Sequence, residues 1–424
     1  MKKIILFVAT IIMIACSKQD SLEYVTTSPI KQDTKFGIRS YEEALKIAQS
    51  AIPMLENSNK NTRGYSEKRE INLEDCQIYK LDSKTRSSYN VNDTLIYVFN
   101  FEDNKGFVLV SASLGTDGIL AIIEQGHCDV TKESGIGGFD LFIEMAKDYV
   151  AHATPKAPTG SKGSGINIRS ETIRDIHYSV SPKLTVNWGQ DCPEGDYCTN
   201  GISGCTNTAI AQIMSYYQYP TSIPLTYDNS NTSLSLNWSA MNNHTNHTYY
   251  ETCNNTSAHN QIAKLVRQIG HLNNSTYWGY PSYQTSTQIW PDFISYPVYH
   301  TIKDSLGYSG VTKTDYNGAY ARGQLDANHL LLVSGGASID GSNRHTWVLD
   351  GYIYEDVLIY TYQQEGNGPW VLIETIDYYH NWVHFNWGFY GQNNGYFNSD
   401  IINSSSNDPS IPYKYSVILI NMYH

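Results

Sequence analysis

Apolar and polar positions alternate in blocks that divide the chain. A twelve-residue apolar run, Ile4 to Ala15, gives way to polar residues at Ser17. Further on, Ser40-Tyr41-Glu42-Glu43 has the form of a capping box, and Ala44, Leu45, Ala48, Ala51, Ile52 and Leu55 follow at helical spacing, which predicts a helix. The polar stretch Asn57 to Glu70 reads as a loop. Thr94–Phe101, Phe107–Ser111 and Ile119–Glu124 are short apolar runs and predict strands, the first two joined by the hairpin signal Glu102 to Gly106. Phe139–Ala151 returns to a helical period. Ala153 to Ser170 holds Gly, Ser, Pro, Ala and Lys with almost no large apolar residue, the composition of a connector. Beyond it, Cys205–Tyr217 and Gln261–Gly270 are predicted helices, and from Leu330 onward short strands rich in Tyr, Trp, Val and Ile dominate.

This pattern yields a small α+β unit over residues 38–152, a connector over 153–172 and a larger unit over 173–424. A length of 424 residues suits about two or three domains. With 41% hydrophobic and 17% charged residues the chain is neither disordered nor an integral membrane bundle. Lys and Arg number 29 against 41 Asp and Glu, and the net charge of −12 excludes a nucleic-acid partner held by a basic patch. The 34 tyrosines suit a secreted or surface protein rich in strands.

The first sixteen residues are expected to be removed or modified. Lys2 and Lys3 precede the apolar run, which is too short to span a bilayer, and Met13-Ile14-Ala15-Cys16 resembles a bacterial lipobox. Residues 1–16 then form a lipoprotein signal peptide and 17–37 a tether, and the expected location is outside the cytoplasm, periplasmic or at the cell surface. A lipidated Cys16 would hold the chain to the membrane, at ~0.8 kcal/mol per buried CH₂. In an oxidising compartment Cys192 and Cys198, which flank a Pro-Glu-Gly-Asp turn, form one conceivable local bridge.

Candidate chemistry concentrates around Cys205. Glycines precede it, and Ala209, Ile210, Ile213, Met214 and Tyr217 give its helix an apolar stripe. A cysteine in a helix's first turn faces unpaired N–H groups and the positive end of the helix dipole, both of which favour thiolate. By position alone, a small buried thiol is the commoner role for such a residue. A thiolate nucleophile also needs an imidazole, a group to support that imidazole, and an oxyanion donor. His345 enters a strand after a Gly/Ser loop, Asn386-Trp387 sits at another strand end, and Gln190 offers an amide fifteen residues before Cys205. The spacing of Cys205 to His345 is 140 residues, within the ~130–150 of papain-like enzymes.

Together these segments are specific. Gly204-Cys205-x-x-Thr208-Ala209-x-Ala211-Gln212-Ile213-Met214, His345-x-x-Val348-x-Asp350-Gly351 and Asn386-Trp387-Gly388 resemble the streptopain family of papain-like cysteine peptidases. The resemblance extends to Trp188-Gly189-Gln190, to Tyr216 through Pro220, and to Lys105 through Ala112, which is similar to that family's propeptide. It implies a papain-like α+β fold, a helical side packed on an antiparallel sheet, preceded by an inhibitory α+β prodomain. It further implies a zymogen of a cysteine endopeptidase, with Cys205 as nucleophile, His345 as general acid/base, Gln190 as oxyanion donor, and Asn386 and Trp387 supporting the imidazole. Protein or peptide substrates and the chain's own prodomain are the implied partners, and no cofactor or metal is implied. Two departures stand out: Arg344 replaces a small residue before the histidine, and Phe389-Tyr390 replaces a Trp-Gly pair.

Two other readings fit some of the same residues. A Cys-His acyltransferase or amidase would use the same pair but end the thioester differently. A non-catalytic surface binding lipoprotein would use its aromatics for glycans and bury Cys205. His244/His247 and His380/His384 lack the Glu of a zinc peptidase motif.

Overall fold

The computed structural model describes residues 37–59, 68–80, 94–153, 166–230, 232–243, 256–279, 284–287, 289, 296–336, 344–407 and 415–424. The leader with Cys16, His244, His247 and most of the connector lie outside them.

The first unit opens with α1 (Tyr41–Asn59). Its capping box is formed: the Ser40 N–H donates to the Glu43 carboxylate (2.9 Å) and the Glu43 N–H to Ser40 Oγ (3.2 Å). Four antiparallel strands follow, β1 (Ile71–Lys80), β2 (Thr94–Phe101), β3 (Phe107–Ser111) and β4 (Ile119–Ile123), and then α2 (Gly137–His152). Strand β1 begins where the polar loop was expected to end, and its alternation is hidden by Glu74 and Asp75 on an edge strand.

The second unit begins with β5 (Ile166–Val180), so residues 166–172 of the expected connector are strand. Then come α3 (Cys205–Tyr217), the ribbon β6 (Ser222–Leu225) and β7 (Thr232–Ser235), α4 (Trp238–Asn243), α5 (Ser257–Leu272), and the ribbon β8 (Thr276–Trp278) and β9 (Gln284–Ser286). The short α6 (Pro297–His300), β10 (Lys313–Asp315) and α7 (Gly318–Asp326) lead into β11 (Leu331–Gly336), β12 (His345–Glu365), β13 (Val371–Asn386), β14 (Gly395–Asn398), α8 (Ser399–Asn407) and β15 (Ser416–Asn421). Strands β12 and β13 are far longer than expected. They form an antiparallel arm whose outer part is flanked by β5, with Tyr352 opposite Val180 and Glu365 opposite Ile166.

The two units share one sheet. Its order is β1-β2-β3-β4-β14-β13-β12-β11-β15-β10, with β5 beside β12. The join is β4 on β14, with Ile123 opposite Gly395 and Ala121 opposite Phe397. Gly395 is required there, since a Cβ would lie 2.3 Å from the Ile122 carbonyl. Apolar packing crosses the same seam. Phe139 of α2 meets Trp387 edge-on at 6.3 Å, and Phe142 meets Phe397 at 4.8 Å. Such pairs contribute ~0.5–1.5 kcal/mol each beyond their buried area. The α+β architecture is therefore two units that share a continuous core, with α3 packed in a second core of the larger unit.

Two buried histidines of β13 also cross the seam. His380 Nε2 lies 2.6 Å from Asp117 of the first unit, and its Nδ1 lies 3.5 Å from Glu355. His384 Nδ1 lies 2.6 Å from Asp350, and its Nε2 lies 3.5 Å from Glu124 of the first unit. Burial alone would favour neutral rings, but the carboxylates outweigh it: both pKa values are raised, that of His384 to about 10. A histidine whose pKa is raised on folding stabilises most fully below its unfolded value of about 6.5, and that contribution disappears as pH climbs through the folded value. Urea unfolding of the full chain is thus expected to lose stability between pH 7 and 10, and Glu124→Gln to flatten that slope. An unaltered slope in the variant would show that the His384–Glu124 contact carries none of it.

Candidate active site

Cys205 is the first residue of α3. Gly204 before it has φ 89°, a left-handed conformation, and a Cβ there would sit 2.9 Å from the Thr285 methyl. The glycine thus lets the chain turn sharply into the helix and leaves the sulfur at its amino end. Residues Thr206 to Ser215 are buried, so α3 is fixed in the core while Cys205 stays partly exposed.

His345 is the first residue of β12, opposite Gly335 of β11. Helix and strand are tied by Thr206 Oγ1 and Thr346 Oγ1, 3.0 Å apart and buried. This junction brings the Cys205 thiol and the His345 imidazole into hydrogen-bond contact. Burial opposes ionisation of both groups. For Cys205 it is outweighed by the His345 hydrogen bond and charge and by the Thr346 backbone, and its pKa is lowered. For His345 it is outweighed by Cys205 and by Asp140 of α2, and its pKa is raised. The other free cysteines described move the opposite way: burial pushes Cys198 up to about 11 and Cys128 up to about 12, and raises Cys76. Cys205 alone among them is set toward thiolate.

Gln190 lines the cleft with Cys205, His345, Trp347, Trp387 and Phe389. The Asn386 amide, expected to hold the imidazole, is bound elsewhere. Its Nδ2 donates to the Val186 carbonyl (3.3 Å) and its Oδ1 accepts from the Gly388 N–H (3.0 Å). Trp387 is pinned by Nε1 donating to the Asn393 carbonyl (2.8 Å) and walls the cleft. Arg344 turns away to β11, donating to the Ser334 carbonyl at 2.7 Å. Tyr390 has φ 55°, and its ring covers Gly189, where a Cβ would lie 2.0 Å from Cζ.

The cleft is filled by a segment of the first unit that sequence reading did not single out. Gly135, Ile136, Gly137 and Gly138 of the first unit line it, leaving a cavity of about 20 Å³, room for one water. A Cβ on Gly137 would fall 2.0–2.5 Å from three ring atoms of His345, and one on Gly138 would fall 2.6 Å from Trp387. Only paired glycines allow the start of α2 to lie on the imidazole. Their signal was present as Gly135-x-Gly137-Gly138, but a glycine cluster before a helix marks a turn far more often than an intramolecular contact.

The Cys192–Cys198 bridge is not formed. Cys198 is a free, buried thiol, while Cys192 is disulfide-bonded. The turn between them folds Cys198 inward, where Tyr277 hydrogen-bonds its sulfur. Cys192, Asp196 and His259 place ligand-type atoms within 4.8 Å of one another, but a disulfide sulfur is no thiolate ligand. His380 and His384 each pair with carboxylates, as described above.

Known proteins carry the same parts. The Peptidase C10 family model matches residues 185–397, about half of the chain, and the model of the Spi protease inhibitor family matches residues 28–150. Streptopain of Streptococcus pyogenes is 22% identical over 417 residues, covering 90% of each chain. The thiol protease/hemagglutinin PrtT of Porphyromonas gingivalis is 22% identical over 345 residues, 74% of this chain and 35% of that protein. A solved fragment of Prevotella intermedia prointerpain A superposes with a TM-score of 0.52 at 18% identity, covering 84% of this chain and 99% of that one, which establishes the papain-like fold with its leading unit.

Ionisation of Cys205 should be directly visible. Its alkylation by iodoacetamide is expected to rise with pH along a limb displaced below the ordinary thiol value, and His345→Ala to move that limb upward, since the chief counterweight to burial would then be gone. Coincident profiles for the two proteins would show that the imidazole does not set the thiol's charge.

Proposed function

Because the chain belongs to the Peptidase C10 family, we propose that it is an exported endopeptidase whose Cys205 and His345 hydrolyse peptide bonds and whose first unit holds it silent. At the coarser level, the family likeness and the inhibitor-like first unit make it a cysteine peptidase zymogen. The observation that supports the assignment to residues is the Cys205–His345 contact at the amino end of α3, with Gly137 laid against the same imidazole.

The reaction follows from the pair. Cys205 thiolate attacks the scissile carbonyl carbon, and the carbonyl electrons move to oxygen. Gln190 and the Cys205 backbone N–H receive that oxyanion; a donor so placed contributes ~2.7–4 kcal/mol of transition-state stabilisation. The C–N bond breaks as His345 imidazolium protonates the amine, leaving a thioester. His345 then takes a proton from water, which attacks the thioester and restores the thiolate. Trp387 keeps bulk water from the pair, and Asn386 braces the floor between Val186 and Gly388.

Silencing follows from occupancy. With Ile136 to Gly138 in the cleft, no peptide can lie between Gln190 and His345. Cleavage in the connector would let the first unit leave, with β5 remaining on β12 as the enzyme's first strand. If Cys16 is lipidated, the same cut separates enzyme from anchor.

After cleavage of the connector by an added protease, Cys205→Ala is expected to abolish casein hydrolysis, while the unfolding free energy of the uncut chain in urea stays within about 1 kcal/mol of the parent; turnover at the level of the cleaved parent would remove Cys205 as nucleophile. Gly137→Val should disengage α2 from His345, so that the uncut full chain labels faster at Cys205 with an epoxide peptidase probe. Equal labelling of parent and variant would show that this contact does not restrain the site.

A further inference from the structure

Gln190 can serve an oxyanion only if its backbone is fixed relative to Cys205, and it lies on a loop rather than on a helix or strand. Two buried hydroxyls stand between that loop and α3. Thr208 Oγ1 donates to the Gly189 carbonyl at 3.0 Å, and Ser203 meets the Gln190 carbonyl twice, through its N–H at 2.7 Å and through Oγ at 3.0 Å. The two hydroxyl oxygens lie 2.9 Å from each other, and both residues are wholly buried. Thr208 is also the residue whose N–H closes the first turn of α3, onto the Gly204 carbonyl at 3.1 Å.

Proton counting makes the arrangement directional. Two hydroxyl hydrogens serve three contacts, so the Thr208 hydrogen goes to Gly189 while that of Ser203 is shared between the Gln190 carbonyl and Thr208 Oγ1. Neither hydroxyl touches the cleft. From the outer side the Tyr390 ring closes over Gly189, and its hydroxyl donates to the Cys192 carbonyl at 3.3 Å. The loop is thereby gripped on both faces, with the inner grip belonging to the helix that carries the nucleophile.

We propose that Ser203 and Thr208 are positioning residues for the reaction, which lock the Gly189–Gln190 backbone to the first turn of α3 and so fix the distance between the Gln190 amide and the Cys205 N–H. This rests on the reading of Gln190 as oxyanion donor. The pair acts on the transition state and not on the thiolate, because its contacts run to backbone carbonyls of the donor loop and not to Cys205 or His345.

The test uses the full chain activated by limited proteolysis, in Ser203→Ala, Thr208→Val, Thr208→Ser and Gln190→Ala forms. Three quantities are read: kcat and KM on a peptide, the affinity of a peptide aldehyde whose hemithioacetal places an oxygen in the oxyanion position, and the alkylation rate of Cys205 against pH. Ser203→Ala and Thr208→Val are expected to lower kcat and aldehyde affinity by roughly ten- to a hundredfold, below the full ~10²–10³ of losing a donor. KM and the alkylation profile should hold, and Thr208→Ser should restore most of the loss. If Gln190→Ala weakens the aldehyde but the hydroxyl variants do not, the positioning role is overturned. If Gln190→Ala leaves aldehyde affinity intact, the donor role itself falls and the proposal with it. A hydroxyl variant that shifts the alkylation profile as much as the aldehyde affinity would mark a general packing defect and equally overturn the assignment.

Discussion

The site is organised around one electrostatic arrangement, a thiol and an imidazole that each favour the charged form of the other in a place where burial disfavours both. Burial works against Cys205 and His345 alike, and their mutual contact is the chief counterweight, joined by the Thr346 backbone at the thiol and by Asp140 at the ring. That contact joins residues 140 positions apart, so it exists only while α3 and the mouth of β12 hold their places. Much of the surrounding structure can be understood as fixing that junction. The Thr206–Thr346 pair ties helix to strand, the buried face of α3 anchors the helix, and β11 and β13 flank the strand.

The same arrangement bears on the proposed silencing of the site. An imidazole must be approached closely to be covered, and side chains prevent close approach. Gly137 and Gly138 remove that obstacle, and Asp140 one turn later adds a favourable charge to the ring they cover. The first unit is then held by much more than the cleft. Strand β4 extends the sheet of the second unit, Phe139 and Phe142 enter its core, and Asp117 and Glu124 meet buried histidines. Departure of the first unit would expose a strand edge, several aromatic faces and two imidazoles, which is why the proposed release is by cutting the chain and separating the units rather than by a local motion.

Legibility in the sequence followed the range of the interactions. Helix α3 was readable to its ends because its apolar stripe and preceding glycines are local, and strands β2 and β3 because their apolar runs are bounded by turn residues. Strand β5 was not, since Ile166-Asn167-Ile168-Arg169-Ser170 follows a Gly/Ser-rich stretch and its pairing partner lies in β12, almost two hundred residues on. Cys205 and His345, the proposed nucleophile and its imidazole, could be picked out from motif and spacing, and the structure places them in one cleft. The actual partners of Asn386, the fold-back of Arg344 and the glycines over His345 depend on which loops meet in space, and no pattern within a loop records that. Ser203 and Thr208 lay in plain view beside Cys205 but carry no chemistry of their own, so only their contacts reveal them.

The most direct measurement is a titration of the His345 ring followed by NMR in the full chain, with and without the Cys205 sulfur. A thiolate partner predicts that the imidazole of the parent loses its proton above the ordinary histidine value, and that in Cys205→Ala it does so at a lower pH, because the chief counterweight to burial is then gone and Asp140 alone opposes it. Identical titration midpoints in the two proteins would contradict the account, since the imidazole would then hold its proton without the sulfur and the two groups would not form a pair.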